Sequence, residues 1–240
     1  MKLRKIGIIG GMTWSSTALY YDHINREIAR RLGGLHSGRI AIESFDFDEI
    51  AAQEASGDWD GIGQSLLKAA RNLEAGGAEG VVIACNTVHK SCGPIEAGLG
   101  IPFFHIADAT ADRLVTDGRK RVALLGTRFT MTEPFFRKRL EDRGIVLAPI
   151  EQEWIDEVDR IIFEELAAGK VVRNSQRKLK TLITELAKRR VDAAVLGCTE
   201  LVLAVDVRAN VLPVYDTTEI HARACVDWML ADEEVARAAA

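Results

Sequence analysis

The sequence predicts an α/β protein built from two similar lobes, each with a parallel sheet, and three observations lead to this prediction. Short apolar, β-branched runs alternate along the chain with helical patterns, which is typical of parallel strands covered by helices on both faces. No Pro-rich or Ser-rich linker interrupts the alternation. Similar motifs occur twice, about half the chain apart, so the two halves are expected to fold in the same way.

In the first half, the predicted strands are short runs rich in Ile and Val, at residues 5–9, 39–42 and 80–84. Apolar side chains three or four residues apart predict the helices that connect them. The first of these helices is marked by Leu19, Tyr20, Ile24, Ile28 and Leu32, and the second by Leu66, Leu67, Ala70 and Leu73. Glycine pairs after each pattern, Gly33-Gly34 and Gly76-Gly77, predict where the helices end.

The second half repeats this order, with strands predicted at residues 121–125 and 193–196 and a helix around Leu179–Leu186. The repeat rests on three matched segments in the same order: Gly7–Gly10 with Ala123–Gly126, Val82–Thr87 with Val195–Thr199, and Pro102–His105 with Pro213–Asp216. We expect the C-terminal helix to pack back onto the first half. The predicted lobes are therefore residues 1–106 plus 215–240, and residues 107–214.

Composition excludes several classes of function. The chain of 240 residues is 48% apolar, with 31 basic and 35 acidic side chains and a net charge of −4. This mixed, mildly acidic charge lacks the basic footprint of a nucleic-acid-binding protein. No apolar stretch approaches the roughly 18 residues of a membrane span, and the N-terminal apolar run is too short for a signal peptide. The sequence therefore predicts a cytoplasmic protein with no nucleic-acid or membrane partner.

Two of the four cysteines occupy equivalent places in the repeat. Cys85 and Cys198 each follow a predicted buried strand, at the edge where ligands bind in open α/β sheets. If the lobes face each other, both thiols line one cleft. Cys92 and Cys225 have no such counterpart and are predicted to be structural. No close pair of cysteines has the spacing of a zinc site, so no metal is expected.

Two thiols on opposite sides of a small substrate suit the inversion of a carbon centre. One thiolate removes the proton from Cα, and a thiol on the other face returns a proton. Such transfer needs groups with a pKa near the working pH, and a cysteine lowered from about 8.5 meets that need. N–H groups at the start of a helix can lower it in this way.

Short polar residues surround the two cysteines. Gly10-Gly11-Met12-Thr13 opens a helix, where backbone N–H groups can bind a carboxylate; a simple glycine turn is the alternative. Glu200 could orient an ammonium group, hold the thiol, or lie in a solvated turn. The predicted substrate-binding residues are Gly11, Met12, Thr13, Asn86, Thr87, Thr127, Thr130, Thr199 and Glu200. Several of these residues also fit caps and turns.

Histidines are weaker candidates. His89 lies four residues after Cys85 and could reach the site, although a capping or packing role is the alternative. His105 and His221 flank predicted strand and helix ends and are weaker candidates for a role in the site than His89.

These motifs resemble the aspartate/glutamate racemase family, the cofactor-independent amino-acid racemases. The resemblance rests on Gly10-Gly11-Met12, Ala84–His89, Leu125-Gly126-Thr127 and Gly197–Glu200, and it spans nearly the whole chain. It implies two Rossmann-like domains, an active site in the interdomain cleft, an amino-acid substrate, and a homodimer. It also implies that no pyridoxal phosphate, other cofactor or metal is used, and that Cys85 and Cys198 are the two catalytic bases.

The chain departs from the aspartate-specific members of that family. Those members carry an arginine in the loop after the second strand, where this chain has the acidic segment 45–49. Ala167 lies near a position where some members have a lysine. Segments 12–17 and 32–37 are similar to a subgroup associated with L-aspartate/glutamate or broader racemisation. The expected substrate is therefore Asp or Glu or a broader range of amino acids, turned over in both directions because both cysteines are kept.

Other functions remain open at this stage. A maleate isomerase-like enzyme would use one cysteine as a covalent nucleophile, and a hydantoin racemase-like enzyme would bind a neutral ring. An arylmalonate decarboxylase would need only one cysteine. A non-catalytic, amino-acid-binding bilobal protein would tolerate the loss of either thiol. A redox sensor would need both sulfurs within bonding distance.

Overall fold

The structure is a computed structural model that describes residues 3–238, with the backbone alone after residue 231. The described residues form two four-stranded parallel sheets with helices between the strands. This arrangement confirms the predicted α/β class. Among the residues described, none of the helices has both the length and the apolar character that crossing a membrane requires.

The first sheet has the strand order β2-β1-β3-β4. The central strands are buried along their whole length, whereas the edge strand β2 has only partly buried and exposed positions. Near-continuous apolar sequence is what a parallel strand covered on both faces requires. The strands are β1 (Ile6–Gly10), β2 (Ile40–Ser44), β3 (Gly80–Ile83) and β4 (Phe103–Phe104).

Helices cover both faces of this sheet. One apolar cluster includes Leu66 and Leu73, and a second includes Tyr20, Ile24 and Val226. The helices of this region are α1 (Trp14–Leu32), α2 (Phe47–Ser56), α3 (Trp59–Ala75) and α4 (Gly93–Gly98), with a 3-10 helix at Thr87–Ser91. The next helix, α5 (Ile106–Thr116), connects β4 to the first strand of the second sheet.

The second sheet repeats the topology with the order β6-β5-β7-β8. Its strands are β5 (Arg121–Gly126), β6 (Val146–Leu147), β7 (Ala193–Gly197) and β8 (Val214–Asp216). The helices of this region are α6 (Arg128–Thr132), α7 (Pro134–Glu141), α8 (Gln152–Arg160) and α9 (Arg173–Lys188), with a π-helical turn at Ile161–Leu166 and a 3-10 helix at Thr199–Leu203. The last helix, α10 (Thr217–Ala238), follows β8, and its residues Ala222, Cys225 and Val226 pack in the same apolar cluster as Tyr20 of α1. The edge strand β6 was not predicted from the sequence.

Contacts divide the chain into two compact units. The first ends at Ile106 and resumes at His221, and the second is Ala107–Ile220. The boundary proposed from the sequence, after residue 214, falls inside β8. Because β8 pairs with β7, with Asp216 opposite Leu196, the strand belongs to the second sheet and the unit extends to Ile220.

Gly11 makes a turn that no other residue fits. Its φ is +91°, and a Cβ built on it would lie 2.2 Å from the carbonyl oxygen of Phe45. Phe45 cannot retreat easily, because its N–H donates to the carbonyl of Gly10 at 3.0 Å. The backbone after β1 therefore depends on glycine at this position.

We expect Gly11→Ala to destabilise the protein by about 3 kcal/mol, because it adds a backbone clash to the strain of a positive φ. Gly57 is the matched control: its φ is +76° and a Cβ there would meet nothing within 4 Å. Gly57→Ala should cost about 1 kcal/mol, the strain alone. Denaturant unfolding measures both, and equal costs would contradict this explanation of Gly11.

Glu54, on α2, links stability to pH. Burial raises the pKa of its carboxyl group to about 7. A carboxyl whose pKa is raised by folding stabilises the protein below its unfolded pKa, and this contribution is lost as the pH rises through the folded value. We expect Glu54→Gln to raise the Tm at pH 8 by roughly 3 °C and to give no gain at pH 4. Glu49→Gln, an exposed carboxyl on the same helix, is the control and should not reproduce this pH dependence.

Candidate active site

The first unit gathers its predicted site residues at one sheet edge. β1 and β3 are parallel neighbours, with Ile9 opposite Ile83, so the loops that follow them leave from the same edge. The residues that follow β1 are Gly11, Met12 and Thr13, and those that follow β3 are Cys85, Asn86 and Thr87. Cys85 is partly exposed, whereas Asn86 and Thr87 are buried.

The glycine turn is held together by its own hydrogen bonds. The N–H of Gly11 donates to Thr17 Oγ1 at 2.8 Å, and the Thr17 hydroxyl donates to the carbonyl of Thr13 at 3.1 Å. Thr13 also caps α1, since its Oγ1 accepts from the N–H of Ser16. The sequence left open whether the amides of this turn bind a substrate carboxylate or only form a glycine turn, and for Gly11 the bond to Thr17 favours the turn. Thr17 was missed because a hydroxyl inside a helix has no sequence signature.

His89 bonds to backbone on both sides of its ring. Its Nδ1 lies 2.7 Å from the carbonyl oxygen of Cys85, and its Nε2 accepts from the N–H of Ile106 at 3.4 Å. The ring is almost completely buried. Of the two sequence-based alternatives, the structure favours the packing and backbone-binding role over direct action on a substrate.

The second unit gathers its predicted residues in the same way. β5 and β7 are parallel neighbours, with Gly126 opposite Gly197. The residues that follow these strands are Thr127, Thr130, Cys198, Thr199 and Glu200, all of them buried. Thr127 caps α6, because its Oγ1 accepts from the N–H of Thr130 at 3.4 Å.

The Cys198 thiol is hydrogen-bonded to a carboxylate. Its Sγ donates to Glu200 Oε2 at 3.1 Å, and the hydroxyl of Thr199 donates to the same oxygen at 2.6 Å. Glu200 is 8% exposed, so little water screens this interaction. Of the three roles that the sequence left open for Glu200, the structure favours holding the thiol.

This carboxylate distinguishes the two halves of the repeat. The residue two positions after the cysteine is Glu200 in the second unit and Thr87 in the first. A carboxylate that accepts a hydrogen bond from a thiol stabilises the protonated thiol. The two cysteines therefore occupy equivalent places in the fold and different electrostatic surroundings.

The remaining cysteines and histidines lie inside the first unit. Cys92 and Cys225 are buried, and burial raises the pKa of the Cys225 thiol well above its usual range. Burial lowers the pKa of His221 to about 4. His105 packs edge-on against the ring of His89. Among the side chains of residues 3–231, no three His, Cys, Asp or Glu are grouped as metal ligands would be.

Similarity to known proteins extends over most of the chain. The profile of the Asp/Glu/hydantoin racemase family matches residues 9–225. A protein from Yersinia pestis assigned to the Asp/Glu racemases is 42% identical, and its crystal structure superposes with a TM-score of 0.89 over 95% of this chain and 100% of that one. An aspartate racemase homologue from Pyrococcus horikoshii OT3 is 34% identical, with a TM-score of 0.81 over 95% and 99% of the two chains.

A further relative is the broad specificity amino-acid racemase RacX of Bacillus subtilis (strain 168). It is 24% identical over 230 residues, which are 94% of this chain and 98% of RacX. The family profile alone spans far more than half of the sequence and includes both matched cysteine segments. The chain therefore belongs to the Asp/Glu/hydantoin racemase family, a family of isomerases.

Proposed function

We propose that this protein is a cofactor-independent amino-acid racemase in which Cys85 and Cys198 exchange the proton of Cα. The observation that supports this most directly is the equivalent placement of the two thiols. Each follows a central strand of its own sheet, β3 or β7, next to short hydrogen-bonding side chains. One acid and one base that swap roles between enantiomers require such a pair.

In the proposed reaction, a thiolate on one face of the substrate removes the Cα proton. The electron pair left on Cα is delocalised into the carboxylate as an enediolate. The thiol on the opposite face then gives its proton to Cα, which inverts the configuration. The proton removed stays on the first sulfur, so one turnover exchanges the protonation states of Cys85 and Cys198.

In this proposal, polar residues beside each cysteine stabilise the enediolate. Hydrogen-bond donors aimed at developing negative charge are usually the largest single contribution to such catalysis. The candidates are Asn86, Thr87, Thr127 and Thr130, whereas the single hydroxyl hydrogen of Thr199 is donated to Glu200. Met12 and Thr13 remain proposed substrate-binding residues, whereas we assign Gly11 to the shape of the turn, because its amide is bonded to Thr17.

The proposed substrate is Asp, Glu or a broader range of amino acids. Among the relatives, RacX is named for broad specificity and others for aspartate or glutamate. The acidic segment 45–49 contains no cationic side chain that could bind the side-chain carboxylate of an Asp or Glu substrate. This favours the broader range of substrates. The homodimer and the cytoplasmic location expected from the sequence remain predictions.

Replacing either cysteine should separate the two halves of the reaction. We expect Cys85→Ser and Cys198→Ser each to lower racemisation by at least about a thousandfold. Each variant should still exchange the Cα hydrogen of one enantiomer with solvent, because the remaining thiol can remove and return a proton on its own face. Proton NMR in ²H₂O over L- and D-Asp, Glu, homoserine and Met measures both effects.

Cys92→Ala is the control, because Cys92 is a second thiol of the first unit, is buried where Cys85 is partly exposed, and has no counterpart in the repeat. It should racemise normally. Normal racemisation by both Cys85→Ser and Cys198→Ser would refute the two-base proposal. A covalent maleate adduct on Cys85, detected by mass spectrometry, would instead indicate maleate isomerase chemistry.

Glu200→Gln should make Cys198 more reactive toward chloroacetamide. The variant keeps an oxygen that can accept from the thiol but removes the negative charge that disfavours the thiolate. We expect alkylation of Cys198 at pH 7.5 to accelerate about tenfold. The rate at Cys85, measured by peptide mass spectrometry in the same sample, is the internal reference. An unchanged or slower rate at Cys198 would contradict this role of the carboxylate.

A further inference from the structure

The partners of His89 determine the tautomer of its ring. A carbonyl oxygen can only accept, so the Nδ1 that lies 2.7 Å from the carbonyl of Cys85 carries the proton. A backbone N–H can only donate, so the Nε2 that faces Ile106 presents its lone pair. His89 is therefore a neutral imidazole, and a second proton on Nε2 would point at the amide hydrogen of Ile106.

This ring connects two points of the chain that are distant in sequence. Cys85 follows β3, whereas Ile106 is the first residue of α5 and the last residue of the first unit. The ring is 1% exposed and packs in a cluster with the rings of Phe103 and His105, whose centroids lie 5.9 Å and 4.5 Å from its own and 6.2 Å from each other. Packing thus fixes the plane of the imidazole, and the two hydrogen bonds fix its direction.

A second buried histidine supports the strand beside this connection. The Nε2 of His221 donates to the carbonyl of Phe104 at 3.0 Å, and its Nδ1 accepts from the hydroxyl of Tyr20 at 2.8 Å. His221 is also the residue at which the chain re-enters the first unit. The backbone just before Ile106 is therefore held as well, which makes Ile106 a rigid support for the ring of His89.

We propose that His89 is a positioning residue that fixes the Cys85 thiol through the carbonyl of the same residue. This inference rests on the proposed two-base function. The hydrogen bond determines the direction of the Cys85 peptide group, and hence where the Cα–Cβ bond aims the sulfur. A displacement of 1 Å at a reacting group can cost about a hundredfold in rate.

Two substitutions separate this bond from the rest of the ring's contacts. In His89→Asn, the amide nitrogen lies near the place of Nδ1 and can still donate to the carbonyl of Cys85. In His89→Gln, the amide oxygen lies near the place of Nε2 and can accept from Ile106, but the bond to Cys85 is lost. Both variants remove the aromatic ring, so they share the loss of packing.

Each variant is combined with Cys198→Ser, in which exchange of Cα hydrogen depends on Cys85, and with Cys85→Ser, in which it depends on Cys198. We expect His89→Gln to lower the Cys85-dependent exchange at least about tenfold and to leave the Cys198-dependent exchange unchanged. His89→Asn should keep the Cys85-dependent exchange within about threefold of its value with His89. Deuterium incorporation with retention of configuration is the measurement.

Equal losses in both backgrounds would overturn the positioning role and indicate a purely structural one. Absence of one-sided exchange with His89 intact would instead refute the two-base function, and the role of His89 with it. If the variants do not fold, ¹⁵N NMR of the histidines in the unmodified protein tests the proposal through the tautomer of His89. A neutral Nδ1–H tautomer that persists from pH 5.5 to 8 is expected, and an Nε2–H tautomer or a titrating ring overturns the proposal.

Discussion

Parallel pairing of the two central strands in each sheet is the constraint on which the candidate site depends. Both polar loops of a unit leave from neighbouring strands, so their first residues start only one strand spacing apart. In the second unit the pairing continues to Gly126 opposite Gly197, where a Cβ on Gly126 would lie 2.6 Å from the Gly197 carbonyl oxygen. Glycine permits this approach, and Thr127 and Cys198 begin immediately beyond it.

The duplicated scaffold supports its two cysteines by different means. Cys198 donates its thiol hydrogen to the carboxylate of Glu200, whereas the backbone carbonyl of Cys85 accepts from the ring of His89. Strand pairing determines where each cysteine lies. It requires only that the residues of β3 and β7 be small or apolar. The hydrogen-bonding partners lie in the following turns, outside the sheets. They can therefore differ between the halves without disturbing the sheets.

Central strands could be predicted because buried parallel strands are nearly continuous apolar runs, and the repeat could be predicted because its motifs fall at their ends. Strand β6 could not be predicted from the sequence, because Val146–Leu147 is an edge strand of only two residues and Val146 is exposed. The spacing after Cys85 placed His89 close to that residue, but its ring direction also depends on Ile106, seventeen positions further along the chain. Hydrogen bonds to distant backbone leave no pattern in the sequence, which is also why the tautomer of His89 required the structure.

An unequal pair of thiols is compatible with a reaction that has no preferred direction. Two enantiomers have equal free energies in water, so kcat/KM must be the same from either side, whatever groups flank the substrate. A difference between the two thiols can therefore change kcat and KM for each enantiomer, but only by the same factor, so that kcat/KM stays equal. A carboxylate beside Cys198 favours the free enzyme in which that sulfur holds a proton. In the proposed two-base reaction, this form would accept the enantiomer whose Cα proton faces Cys85, and the other enantiomer would bind the less populated form.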